Sequence, residues 1–212
     1  MTAVDAAFVR RWLDALGASI EEQRGHLTEL DSAIGDADHG TNMHRGFTAV
    51  RERLSTADAV APGALLTLAG TTLISKVGGA SGPLYGTCLR NLGKALGDAP
   101  EIDARALLEG LRAGLAGIQK LGRAELGDKT IVDAFAPALD ALERALDDGA
   151  SLPDALRAAS DAAEEGAKAT IPLQARKGRA SYLGERSAGH QDPGATSTAL
   201  LFAALEHAAS SS

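Results

Sequence analysis

The chain has 212 residues and a formal net charge of -7, a balance that excludes nonspecific attachment to nucleic acid or to an anionic membrane, since both draw on surplus lysine and arginine. A lone cysteine, Cys88, excludes an internal disulfide framework and a thiolate-rich zinc site. Aromatics make up only 3%, and alanine and leucine outweigh alternating Val/Ile runs, so the expected fold is all-α, in a single domain over residues 1–212. No apolar run approaches the ~20 residues that span a bilayer. The stretch from Met1 to Arg11 lacks the basic-then-apolar order of a signal peptide, and a cytoplasmic protein is expected.

In chain order, Val9, Trp12, Leu16 and Ile20 form the first helical stripe. Next come three aspartates, Asp31, Asp36 and Asp38, with no lysine or arginine before Arg45 to neutralise them. Asp31 falls on the last turn of a helix carrying Leu27, Leu30 and Ile34, and Gly35 lets the chain curl so that Asp36 and Asp38 point back toward it. Crowded carboxylates raise their pKa values or take up a cation, and hard oxygen donors suit Mg²⁺, Ca²⁺ or Mn²⁺. An EF-hand fails on spacing: the twelfth position is Phe47 counted from Asp36 and Asn42 counted from Asp31, not glutamate. The plainer alternative is a solvated acidic turn feeding a helix. His39, Gly40, Thr41 and Asn42 lead into the helix of Met43, Phe47, Val50 and Leu54, whose first amides are free to face an anion.

Pro62-Gly63 marks a turn before the stripe of Leu66, Ala69, Leu73 and Val77. The loop Gly78-Gly79-Ala80-Ser81-Gly82-Pro83 permits close backbone approach to phosphates, although it lacks the Gly-Lys-Ser/Thr ending of a Walker A loop and also reads as an ordinary helix-to-helix turn. After a turn at Gly97 to Pro100, Leu108, Leu111, Leu115 and Ile118 define another helix, followed by Leu121-Gly122 and Gly127-Asp128-Lys129-Thr130. This loop too carries groups suited to a phosphate; the plainer alternatives are a helix cap by Asp128 or Thr130 and a surface ion pair between Lys129 and Asp133. Val132 to Leu146 is helical, Asp147-Asp148-Gly149 is a turn, and Ser151 with Pro153 and Asp154 resembles a helix-opening cap. Small residues such as Ala113-Gly114 and Ala116-Gly117 let helices approach closely, compatible with an arrangement around a central space.

From about Gln174 to His190 helical periodicity is lost, and Arg176, Lys177, Arg179 and Arg186 bring four cations into an acidic chain. Tyr182 and Leu183 suggest that this segment folds against the body as a lid rather than remaining a solvated basic loop. Asp192-Pro193 opens a last helix through Leu201 and Leu205, with no disordered tail beyond Ser210 to Ser212 and no internal repeat. About eight antiparallel helices joined by short loops are expected. His39 and His190 are candidates for ligand contact, whereas His26, His44 and His207 read as helix-surface residues. Three aspartates with a nucleoside triphosphate carry roughly -7 and two Mg²⁺ ions return about +4, so Arg179, Lys177 and helix N-termini are needed near the phosphates.

The runs from Leu30 to Gly40, Gly79 to Thr87, Gly127 to Thr130, Gly178 to Arg186 and His190 to Gly194 span nearly the whole chain in order. Together they resemble the nucleotide-binding L subunit of bacterial dihydroxyacetone kinase. The resemblance implies an up-and-down barrel of eight antiparallel helices with the nucleotide site at one end, holding ADP or ATP through two Mg²⁺ ions. Carried over position by position, Asp31, Asp36 and Asp38 ligate the metals, and these three with Arg179 are the catalytic set. His39, Gly40, Thr41, Asn42, Ala80, Ser81, Gly122, Ile131, Arg179, Asp192, Pro193 and Gly194 line the nucleotide. Two departures stand out: Ile131 where methionine is expected, and Ala37 where glycine is common between the two loop aspartates, a change that matters only if that position needs positive φ.

The implied partners are a K subunit that holds dihydroxyacetone on a histidine and a phosphohistidine-carrying M subunit of the phosphotransferase system, which rephosphorylates resident ADP. A free-standing L-type chain favours that route. The alternatives are an ATP-dependent kinase subunit for dihydroxyacetone or another keto-sugar such as erythrulose, and a nucleotide-sensing regulatory subunit without turnover.

Overall fold

The computed structural model describes residues 3–210; the expected tail at Ser211 and Ser212, and Met1 and Thr2 of the N-terminal segment, lie outside the described residues. Nine α-helices occur among the described residues: α1 (Ala6–Glu22), α2 (Arg24–Ile34), α3 (His39–Ser55), α4 (Pro62–Lys76), α5 (Ser81–Leu96), α6 (Ala104–Gly122), α7 (Val132–Asp147), α8 (Leu152–Ala169) and α9 (Pro193–Ser210). Two short strands, β1 (Val4–Asp5) and β2 (Glu101–Ile102), pair antiparallel.

Eight of the helices close a ring in the order α1, α3, α4, α5, α6, α7, α8, α9 and back to α1. The remaining helix, α2, lies outside that ring against α3 and α9; Gln23 separates it from α1, its amide closing the last turn on Ser19. Short connections force ring neighbours to run antiparallel. The N-termini of α3, α5, α7 and α9 therefore gather at one mouth with the C-termini of α4, α6 and α8. At the opposite mouth β1 clasps β2, and Arg10 reaches the carbonyls of Leu54 and Ala57 at the end of α3.

Aromatic side chains occupy the interior. Phe8, Trp12, Phe47, Tyr85, Phe135 and Phe202 are all buried in one apolar cluster, leaving Tyr182 as the single exposed aromatic. The Trp12 indole N–H donates to the Leu201 carbonyl at 3.1 Å, joining α1 to α9 where the ring closes. Phe135 and Phe202 meet edge to face, 5.0 Å between centroids, across α7 and α9. The central space suggested by the small residues is thus filled.

Glycine lets α4 and α5 meet backbone to backbone. A Cβ on Gly70 of α4 would lie 2.5 Å from the Gly86 carbonyl of α5, and one on Gly86 would lie 2.6 Å from the Gly70 carbonyl, so the two backbones touch where any side chain would part them. Pro62-Gly63, read from sequence as a turn, instead forms the first turn of α4. Proline is tolerated there because its missing N–H belongs to the unpaired first turn. Ser151 caps α8 as expected, accepting from the Asp154 amide.

Candidate functional site

The aspartate segment folds as its composition dictates. Asp31 lies on the last turn of α2, and its Oδ2 accepts from the amides of Asp38 at 2.8 Å and His39 at 3.1 Å. Gly35 makes this turn possible: a Cβ there would lie 2.0 Å from Asp31 Oδ1. Ala37 sits at φ 60°, so the position where glycine was expected does demand the left-handed region. One carboxylate oxygen from each of Asp31, Asp36 and Asp38 lies within 4.8 Å of the other two, a spacing and donor chemistry that fit a hard divalent cation. The Arg179 guanidinium stands 2.9 Å from Asp36.

This trio forms one wall of a cleft of about 400 Å³ at the barrel mouth. Gly79, Ala80 and Ser81 from the start of α5 face it, with Gly122 at the end of α6, Ile131 at the start of α7, Arg179 on the lid, and Asp192, Pro193 and Gly194 at the start of α9. Leu84, Ile118, Leu121 and Ile131 give the cleft an apolar side, and Lys177 adds a cation beside Arg179. Gly40, Thr41 and Asn42 do not line it. A Cβ on Gly40 would lie 2.1 Å from the Arg24 carbonyl, making Gly40 the crossing point of α3 and α2. Asn42 accepts from Arg45 at 2.7 Å, beside the Gly78-Gly79 loop.

His39 is buried, and both its ring nitrogens are engaged, Nδ1 with Ser81 Oγ at 3.0 Å and Nε2 with Ser197 Oγ at 2.9 Å. Burial lowers its pKa against the opposing pull of Asp31 and Asp38, so the neutral ring acts as a strut between the starts of α3, α5 and α9. The chain of hydrogen bonds continues through Tyr85, whose hydroxyl contacts Ser197 at 2.7 Å, Thr198 at 2.9 Å and the Gly194 carbonyl at 3.1 Å. Burial pushes the Tyr85 phenol well above its ordinary value. Sequence reasoning missed Tyr85, Ser197 and Thr198, because isolated hydroxyl residues on apolar helices carry no spacing signal.

Two expectations for the Gly127–Asp133 loop are corrected. Lys129 is fully buried and makes no surface ion pair: its ammonium donates to the carbonyls of Thr170 at 2.7 Å, Leu173 at 3.1 Å, Ile171 at 3.4 Å and His190. Burial lowers its pKa, countered by the charges of Asp192 and Asp133. Of the two capping candidates, Asp128 caps no helix, its carboxylate turning back to the Glu125 amide at 2.9 Å, whereas Thr130 Oγ1 accepts at 3.1 Å from the Val132 amide that opens α7. Asp133 instead organises the loop, accepting from Gly127 at 2.6 Å and Thr130 at 2.8 Å.

The basic segment is folded. Arg179–Ser187 forms 3-10 turns, and Ala175, Ala180 and Leu183 pack on Ile34 next to the aspartates. Tyr182, expected to pack with Leu183, is 86% exposed. The His190 side chain is exposed as well, and only its carbonyl reaches inward. Asp192 caps α9 through the Ala195 amide at 2.7 Å, while burial raises its carboxyl pKa to about 7.

Fold and site together define an all-helical barrel with an acidic, lidded cleft at one mouth. The chain matches the DAK2 domain over residues 33–207 and belongs to that family. It is 46% identical over 198 residues to the ADP-binding subunit of the PEP-dependent dihydroxyacetone kinase of Escherichia coli, covering 93% of this chain and 94% of that one. With one such subunit of Listeria innocua it shares 44% over 201 residues, 95% and 96% of the two chains. The D-erythrulose kinase of Mycolicibacterium smegmatis is 40% identical over 92% of this chain, which spans 34% of that longer protein. The crystal structure of the dihydroxyacetone kinase from C. freundii in complex with AMP-PNP and Mg²⁺ superposes with a TM-score of 0.75 at 28% identity, over 97% of this chain and 34% of the other.

Proposed function

We propose that this chain is the phosphoryl-transferring subunit of a dihydroxyacetone kinase, carrying Mg-bound ADP or ATP and delivering the γ-phosphoryl group to dihydroxyacetone on a separate K subunit. The observation that carries the proposal is the convergence of Asp31, Asp36 and Asp38 with helix N-termini and Arg179 around one cleft. The three carboxylates are the residues to hold Mg²⁺, which when bound neutralises phosphate charge and orients the transferred group. Arg179 and Lys177 bring the further positive charge that a nucleotide beside three carboxylates requires. Ser81 and the amides opening α5 and α9 bind phosphate oxygens, and Ile131 with Leu84, Ile118 and Leu121 offers the base an apolar wall. The lid keeps bulk water from the transferring group. No side chain is assigned a covalent phosphoryl intermediate, and His39, engaged on both ring nitrogens, holds the frame rather than moving a proton.

The favoured donor route is rephosphorylation of resident ADP by a phosphohistidine-carrying M subunit of the phosphotransferase system, in the cytoplasm. The near end-to-end match to the E. coli and Listeria innocua subunits supports it. No helix of the described residues is long and apolar enough to cross a membrane. The 40% identity to a D-erythrulose kinase favours a second reading, an ATP-dependent subunit for a related keto-sugar.

Nucleotide released by acid from the freshly purified chain separates the two. Near-stoichiometric ADP that survives dialysis supports the relay; an empty site that binds ATP reversibly supports the ATP-dependent kinase. An absence of affinity for either nucleotide with Mg²⁺ overturns both.

A further inference from the structure

The function proposed above leaves Lys129 without a task, although it is among the largest fully buried side chains. Its backbone is left-handed at φ 64°, a conformation that disfavours a residue with a Cβ. Its ammonium meets four carbonyl oxygens, and they belong to both ends of the lid: Thr170, Ile171 and Leu173 where the chain enters, His190 where it leaves. A buried cation needs such a shell, since unpaired it would be strongly disfavoured.

Other bonds close the same neck. The Gly189 amide donates to the Ile171 carbonyl at 2.7 Å, and the Asp192 amide to Thr170 Oγ1 at 2.9 Å. From the other side the Arg176 amide donates to the Asp128 carbonyl at 3.1 Å. Lys129 itself borders the cleft together with Thr130 and Ile131, as do Lys177, Gly178, Arg179 and Ala180 of the lid. One side chain therefore joins the wall beneath the lid to both of the lid's roots.

We propose that Lys129 is a positioning residue, a latch whose carbonyl-bound ammonium makes lid closure and the Thr130–Ile131 contact with nucleotide a single coupled event. The inference rests on the proposed nucleotide-carrying function. It predicts that nucleotide bound against Thr130 and Ile131 steadies the lid through Lys129, and that the lid's hold on the nucleotide fails when the latch is cut.

The test compares the full chain with Lys129→Met, which keeps length and apolar stem but removes charge and donors. Two quantities are read with Mg²⁺ present: the ADP dissociation rate, and the ratio of tryptic cleavage rates in the lid, at Arg176 to Arg186, without and with ADP. The parent is expected to show a ratio well above one, and Lys129→Met a ratio near one with ADP leaving at least 10-fold faster. A purely structural defect would speed cleavage equally in both conditions and leave the ratio intact, which overturns the proposal, as does an unchanged dissociation rate. If Lys129→Met does not fold, hydrogen exchange of the parent decides: the Gly189 and Asp192 amides slow when ADP binds, and unaltered exchange overturns the latch. A parent that binds no Mg-ADP overturns the proposed function together with this inference, whereas a parent that binds and a variant that matches it overturn the latch alone.

Discussion

At the scale of single residues, the site depends on a turn that few side chains would permit. Gly35 gives Asp31 room and the amides of Asp38 and His39 fix its carboxylate, so the trio is arranged by its own backbone. Asp36, exposed and paired with Arg179, is the member whose loss disturbs the backbone least. Asp36→Ala is expected to abolish turnover in the assembled enzyme while leaving the melting temperature within a few degrees; full retained turnover would remove Asp36 from the metal-binding set. Ala37 shows a residue held against its preference. At φ 60° an alanine is disfavoured by about 1–2 kcal/mol, only partly offset by the greater entropy glycine loses on folding, so Ala37→Gly should stabilise the chain by roughly 0.5–1 kcal/mol. Urea denaturation of the two proteins checks the sign.

At the scale of elements, helix pairs are held by close backbone contact and by a few buried hydroxyls. Gly86→Val would drive its side chain into the Gly70 carbonyl and Ile74 of α4. Overpacking of this kind typically costs about 1–3 kcal/mol, and more where the obstacle is backbone, so thermal melts should show a clear loss, with far-UV circular dichroism still helical. Tyr85 links α5 to α9 through three polar contacts. Removing its hydroxyl in Tyr85→Phe leaves Ser197 and Thr198 to re-pair and should cost about 1–2 kcal/mol, measured as a lower denaturant midpoint at constant slope. The same periodicity that revealed these helices could not reveal the pairing, because an apolar stripe says which face is buried and not which helix covers it.

At the scale of the whole molecule, the eight-helix ring draws alternate helix starts to one mouth and collects there charges that are distant in sequence. Asp192 bears the electrostatic consequence. Its folded carboxyl titrates at about 7 against an ordinary 3.8, chiefly because burial opposes its charge, with the Ala195 amide and Lys129 pulling the other way. Between about pH 4 and pH 7 the folded chain thus keeps a proton that the unfolded chain has released. The stability contributed by this group is present at the acid side of that window and is lost as pH rises through it. At ~1.4 kcal/mol per unit, Asp192→Asn should gain on the parent by on the order of 2 kcal/mol between pH 5 and pH 8. Melts at both pH values test this, and a difference that does not change with pH would sink it.

By itself, the sequence determined the all-helical class, most helix positions, the aspartate trio, the cationic lid and the cap at Asp192, since each follows from neighbours within a few turns of chain. The resemblance of its motifs located the rest of the cleft at Ala80, Ser81, Gly122, Ile131 and Arg179. Only the tertiary structure decided that α2 stands outside the ring, that His39 is a strut, and that Lys129 is interior rather than a surface partner of Asp133. Those roles depend on partners 158 residues away for His39 and Ser197, and 61 for Lys129 and His190. Contacts at such separations arise when the barrel closes, and a local pattern of side chains holds no record of them.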